Sequence, residues 1–131
     1  MWKKFGNYKD MIRTFQKSDL SAVLALVKKM TDHHHSLDAF YKPAGEYSDW
    51  EGIVSGWLDD SEIQVFLAEE GGVVGYIRVG VENAPEYSVE KRIGMIYDSF
   101  VEEKYRRQGI AGQLFEAALA WLKKKKVSFV E

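Results

Sequence analysis

The sequence predicts a mixed α/β domain, and three observations carry that reading. Residues 62–69 alternate like a strand, and an apolar run at 73–81 follows across Gly71 and Gly72, the pattern of a β-hairpin. Residues 19–33 and 109–125 repeat apolar side chains at helical spacing. Residues 93–101 are rich in β-favouring Ile, Tyr, Phe and Val, and lead through a short basic turn straight into the second of those helices.

Taken in order, residues 1–10 read as an extension and 11–15 as a first strand. Ser18 suits the N-cap of a helix over 19–33, with Asp19 in its first turn. Leu20, Val23, Leu24, Leu26, Val27 and Met30 form its apolar face. His33, His34 and His35 end it. Consecutive helical residues point in different directions, and no i, i+4 histidine or cysteine completes a metal set, so these read as a frayed end favoured by the helix dipole. Residues 39–48 form a loop around Pro43 and Gly45. Ser48 or Asp49 caps a second helix over 49–58, with Trp50, Ile53, Val54 and Trp57 on one face; Trp57 reads as core packing. Strands at 62–69 and 73–81 follow, then a loop at 82–88 with Pro85, then a strand reaching 101. Ile110, Leu114, Ala117, Ala118, Trp121 and Leu122 give the last helix a wide apolar face, with Phe115 and Leu119 flanking it. Lys123, Lys124, Lys125 and Lys126 complement its negative end. A short strand, 127–130, closes the chain.

At 131 residues this is one domain, and 46% hydrophobic content is ample for a packed core. Without cysteine it has no disulfide, thiolate metal site or cysteine nucleophile. The apolar runs are too short to span a bilayer and no signal-peptide pattern opens the chain, which suits a cytoplasmic protein. The net charge of −2 and the lack of a reader motif disfavour nucleic-acid binding. That small sum hides an asymmetry. Residues 30–62 hold eight acids against one base, and residues 104–126 hold seven bases against one acid. A basic half suits an anionic cofactor and an acidic half a cationic substrate.

The basic turn carries the chemistry. Arg106, Arg107, Gln108, Gly109, Ile110, Ala111 and Gly112 lead directly into a helix. A helix N-terminus offers unpaired N–H groups and partial positive charge to an anion. Gly109 and Gly112 lack a Cβ, so a bulky anion can approach the backbone, and the arginines add a fork that fits a phosphate. The pattern predicts a site for a phosphate or pyrophosphate. It matches neither G-x-x-x-x-G-K-S/T nor a strand-following G-x-G-x-x-G.

The run FVEEKYRRQGIAGQLFEAAL resembles motif A of the GNAT N-acyltransferase superfamily, R/Q-x-x-G-x-G/A at the start of the central helix. The hairpin with its Gly-Tyr-Ile and the opening Met-Ile-Arg strand are similar to the same family. The resemblance covers residues 11–131. It implies a mostly antiparallel mixed sheet flanked by helices, ending after the fifth strand. It implies acetyl-CoA as co-substrate, its pyrophosphate on residues 106–112 and its pantetheine arm along the backbone of Ser99, Phe100 and Val101. No metal is implied.

The same resemblance implies transfer of an acetyl group from acetyl-CoA to a primary amine by direct attack in a ternary complex. The amine must lose a proton, the oxyanion must be stabilised and the thiolate must be protonated. Backbone N–H groups at a bulge near Phe100 are expected to serve the oxyanion. Asp98 is the first candidate base, with a structural carboxylate paired to a basic neighbour as its competing role; Glu82 is the second. The family's C-terminal motif B is not found before Glu131, so its usual tyrosine acid is replaced, if at all, by Tyr97 or Tyr105. The resulting sheet edge and apolar surface suggest a homodimer. The acidic first half favours a small cationic acceptor. A protein lysine or N-terminal amine is the alternative acceptor, and a non-catalytic acyl-CoA-binding remnant is the alternative function.

Overall fold

The computed structural model describes residues 11–127. The expected extension over 1–10, and all but the first residue of the expected strand 127–130, lie outside them. β1 (Ile12–Thr14) is followed by α1 (Leu20–Leu37), α2 (Trp50–Asp59), β2 (Ile63–Glu69), β3 (Val73–Asn83), β4 (Arg92–Val101) and α3 (Ile110–Lys124). The strands form one sheet in the order β1-β2-β3-β4, antiparallel at every step.

Strand alternation divides the apolar residues between two faces. Val65, Leu67 and Tyr76 point to one side, where they meet Val23, Leu26 and Val27 of α1 and Val54 of α2. Val74, Ile77, Val79 and Val81 join Ile110, Leu114, Ala118 and Leu122 of α3 on the other. Leu114 and Leu122 are fully buried, each contributing about 1.5–3 kcal/mol of hydrophobic stabilisation. Leu122 lies so close over Gly94 that a Cβ there would sit 2.8 Å from its Cδ1. Phe115 and Leu119 stay exposed beside that stripe.

Four expectations change in detail. Ser18 does not cap α1. It lies inside a 3₁₀ turn, Lys17–Asp19, and Asp19 closes that turn by accepting the Gln16 N–H at 2.9 Å. Arg13 locks the same carboxylate with Nη1 and Nη2, each at 2.8 Å. The ion pair holds Asp19 below its usual carboxylate range, with the Arg13 hydrogen bonds as the main cause. Next, α1 continues to Leu37, past the histidines. The α2 cap is Asp49, which accepts from Gly52 N at 3.0 Å, but Ile53 is exposed and only its neighbour Val54 is fully buried. Finally, β3 extends to Asn83, because Glu82 pairs with Ile93 and Asn83 with Arg92 across β4. Glu82 is thus a strand residue, where a loop was expected.

Candidate active site

The segment after β4 brings two arginines and two glycines to the start of α3. A 3₁₀ turn, Glu103–Tyr105, reverses the chain, and Gly109 then opens α3 with φ of +83°. Only glycine takes that left-handed conformation without strain. The first helical bond runs from Gln113 N to Gly109 O at 3.1 Å, so the N–H groups of Ile110, Ala111 and Gly112 have no acceptor within the helix. Ile110 is buried and anchors the turn to the core. Gly109 and Gly112 face open space, where even a Cβ would meet nothing within 4 Å.

The two arginines differ. Arg106 Nε donates to Val101 O at 2.7 Å and its guanidinium lies 5.3 Å from the Phe100 ring centroid, which ties the turn to the end of β4. Arg107 is exposed and holds φ of +65°, a strained conformation for a side chain with a Cβ. A cavity of about 600 Å³ lies beside this turn, lined by Lys29, Asp32, His33, Phe100, Glu102, Glu103 and Arg106. Two of its lining residues, Lys29 and Glu102, form an ion pair at 2.7 Å. Of the three histidines, His33 therefore borders a cavity, while His35 Nδ1 donates to the Tyr41 carbonyl at 2.7 Å. Among the described residues no group of His, Cys, Asp or Glu could hold a metal ion.

β4 leads into the turn and is the edge of the described sheet. Ser99, Phe100 and Val101 pair inward with Ile77, Tyr76 and Gly75. Outward they present an edge that an extended ligand can join by main-chain hydrogen bonds. The bulge expected near Phe100 lies earlier. Asp98 faces Arg78 and Ile96 faces Val79, so Tyr97 is the extra residue. An inserted residue re-aims side chains, and here Tyr97 leans over β3. A Cβ on Gly80 would lie 2.6 Å from its ring, so glycine at position 80 is what lets the tyrosine settle.

Asp98 and Glu82 fall into different environments. Asp98 Oδ1 accepts from Arg78 Nε and Oδ2 from the Tyr76 hydroxyl, both at 2.9 Å. The Arg78 guanidinium carbon lies close to two rings, 4.4 Å from the Trp57 centroid and 4.7 Å from that of Tyr97. Burial above all, with the charge of Asp98, pushes the Tyr76 hydroxyl far above its ordinary pKa. Glu82 is exposed and accepts from the Tyr97 hydroxyl at 2.5 Å. Burial, then this bond and the charge of Glu82, push Tyr97 up to about 12, against the opposing charge of Arg78. Tyr97 is thus a neutral hydrogen-bond donor at neutral pH. Tyr76 and Arg78 escaped the sequence reading. The available signal was Arg78 itself, a lone charge in the apolar run VVGYIRVGV.

The sequence model of the acetyltransferase (GNAT) family matches residues 27–131. This chain belongs to that family. The motif turn, the mixed α/β fold with its antiparallel sheet and the flanking helices are those of a GNAT acetyltransferase domain. No curated protein sequence matches it. Among solved structures the domain is similar to an acetyltransferase from Vibrio fischeri, with 27% identity and a TM-score of 0.74 over 92% of this chain and 93% of that one. It shares its fold with the aminoglycoside N-acetyltransferase AAC(6')-Iy in complex with CoA, at 17% identity and a TM-score of 0.70, over 92% and 75% of the two chains. A predicted acetyltransferase from Clostridium acetobutylicum, solved with acetyl-CoA, aligns at 16% identity and a TM-score of 0.71, over 92% and 77%. Among the described residues of this GNAT domain no helix is long and apolar enough to cross a membrane.

Proposed function

We propose that this GNAT domain is an N-acetyltransferase that moves an acetyl group from acetyl-CoA to the cationic primary amine of a small acceptor. The observation that carries the reading is the turn from β4 into α3. Free N–H groups at Ile110, Ala111 and Gly112, two glycines open to solvent and Arg106 clamped to Val101 O suit a pyrophosphate. CoA and acetyl-CoA complexes of structurally similar proteins support the same co-substrate. The pantetheine arm then adds to the β4 edge at Ser99, Phe100 and Val101. From Val101 to the bulge at Tyr97 is four residues, about 13 Å at 3.3 Å per residue. That span suits an extended arm carrying its thioester to the bulge.

Of the two carboxylates, Glu82 is the better base, since Asp98 already serves Arg78 and Tyr76. Glu82 takes a proton from the amine, and the amine nitrogen attacks the thioester carbonyl. The C–S bond breaks as the tetrahedral intermediate collapses. Tyr97 gives its hydroxyl proton to the departing thiolate and regains one from Glu82, while the second proton left on the nitrogen after attack passes to water, so a turnover that starts from the ammonium releases one proton. The second reading, an acyl-CoA-binding domain without turnover, draws on the occupied state of Asp98.

Calorimetric titration with CoA and acetyl-CoA tests the cofactor site, beside a variant carrying both Arg106→Ala and Gly112→Asp. Binding lost in the variant supports the site; absence of binding to the parent removes it. Thiol release from acetyl-CoA over a panel of amines separates an enzyme from a binder, which gives none above hydrolysis.

A further inference from the structure

The face of the sheet that carries Glu82 also carries an arginine whose donors are only partly used. Arg78 spends Nε on Asp98. Among the described residues neither of its Nη atoms has a hydrogen-bond partner, and no fully buried side-chain nitrogen or oxygen lacks one. Both Nη groups therefore reach solvent, in a side chain that is only 23% exposed. The Trp57 and Tyr97 rings both lie against the guanidinium, and Asp98, itself held by Tyr76, fixes the Nε side. What remains open is the pair of Nη groups. Their fork geometry matches a carboxylate, and the stacking rings remove most of the rotamer freedom that an arginine normally loses on binding.

The charges around this fork are mixed. Tyr97 touches Arg78 with its ring and Glu82 with its hydroxyl, so one tyrosine separates the cation from the anion. Asp60, in the turn after α2, acts on the same hydroxyl. Asp98 already offsets much of the Arg78 charge. The Glu62 carboxylate pairs with Arg92, and its main-chain carbonyl lies over Gly80 beside Tyr97. A ligand bearing only a carboxylate meets repulsion from Glu82 and Asp60, and one bearing only an ammonium leaves the Arg78 fork unused. A ligand with both groups satisfies each side.

We propose that Arg78 is a specificity-determining residue: the acceptor is an amine that also carries a carboxylate, of the amino-acid class, with its ammonium toward Glu82 and its carboxylate on the Nη edge of Arg78. The assignment rests on the acetyltransferase reading for the amine's fate, but binding alone can test it. The probes are the standard amino acids and their C-terminal amides, titrated calorimetrically into the 131-residue chain with CoA present. At least one amino acid is expected to bind about tenfold more tightly than its own amide. Arg78→Gln abolishes that preference, and Arg78→Lys, which keeps the charge without the fork, reduces it. Far-UV circular dichroism and retained CoA binding report folding of each variant; if Arg78→Gln is unfolded, Arg78→Lys decides. The proposal is overturned if no amino acid binds more tightly than its amide, or if the preference survives both substitutions. Thiol release is read separately: binding by the carboxylate without thiol release leaves the Arg78 assignment standing and removes the transferase reading.

Discussion

Arg78 and Asp98 form a cross-strand ion pair at 2.9 Å, directly beside the bulge that Tyr97 introduces into β4. The pair is mostly buried, with side-chain exposures of 23% and 11%. It braces the bulge from one side while Gly80 makes room for the Tyr97 ring on the other.

Removing one partner of this pair leaves the other charge poorly solvated. Asp98→Asn is expected to cost about 3 kcal/mol of stability, read as a lower denaturation midpoint in urea. The Asp98 side chain bonds to Tyr76 and Arg78 and not to the turn at residues 106–112, which keeps its hold on the CoA pyrophosphate. A stability loss below a few tenths of a kcal/mol would contradict the bracing role.

Glu82→Gln preserves the size of the side chain and removes its basicity. If Glu82 is the base, kcat for amine acetylation falls about 10²–10⁴-fold, and the calorimetric affinity for acetyl-CoA stays as it was. Gly80→Ala drives a Cβ into the Tyr97 ring. It is expected to lower kcat in the same direction by pulling the hydroxyl away from Glu82. Activity that survives Glu82→Gln intact would return the base role to Asp98 or to water.

The two glycines of the turn separate conformation from space. Neither has a neighbour within 4 Å of a built Cβ. Gly109→Ala forces an alanine to φ of +83° and costs about 1–2 kcal/mol. Gly112→Ala, in helical geometry, gains up to about 1 kcal/mol. Thermal melting of the two variants checks the opposite signs. Both added methyl groups stand where the cofactor phosphates are proposed to lie, so both weaken CoA binding.

Asp19 sets a limb of the acid stability profile. Its pKa is lowered in the fold from 3.8, chiefly by Arg13. The stability from that pair is complete above pH 3.8 and is lost as pH falls through the folded value. Asp19→Asn removes about 2 kcal/mol at neutral pH and flattens the profile below pH 3.8. Urea midpoints measured from pH 7 down to pH 2 follow both effects.

Two tyrosines shape the alkaline side, Tyr76 and Tyr97, and Tyr97 is the less strongly shifted of them. Its hydroxyl is raised from 10.0 to about 12, so its contribution is complete below pH 10 and fades as pH rises toward 12. The tyrosinate absorbance lost on Tyr97→Phe is expected to titrate near pH 12; loss near pH 10 would mean that in solution the hydroxyl is neither buried nor bonded to Glu82.

The order of strands and helices was legible in the chain because it depends on local patterns. Alternation across β2 and β3, the apolar stripe of α3 and the glycine turn before it each follow from neighbours a few residues apart. The turn was legible for a second reason: a helix start with glycines and arginines has its chemistry in the backbone, wherever it lies in the fold. The pairing partners were not legible. That Asp98 is held by Tyr76 and Arg78, twenty or more residues earlier, depends on the antiparallel register of β3 against β4. That Glu82 is a strand residue touching Tyr97 depends on where the bulge falls. A register shift of one residue turns every side chain to the opposite face, so spacing in the sequence alone leaves the face undecided. Only tertiary structure decided which carboxylate is spent on an ion pair and which is exposed beside Tyr97.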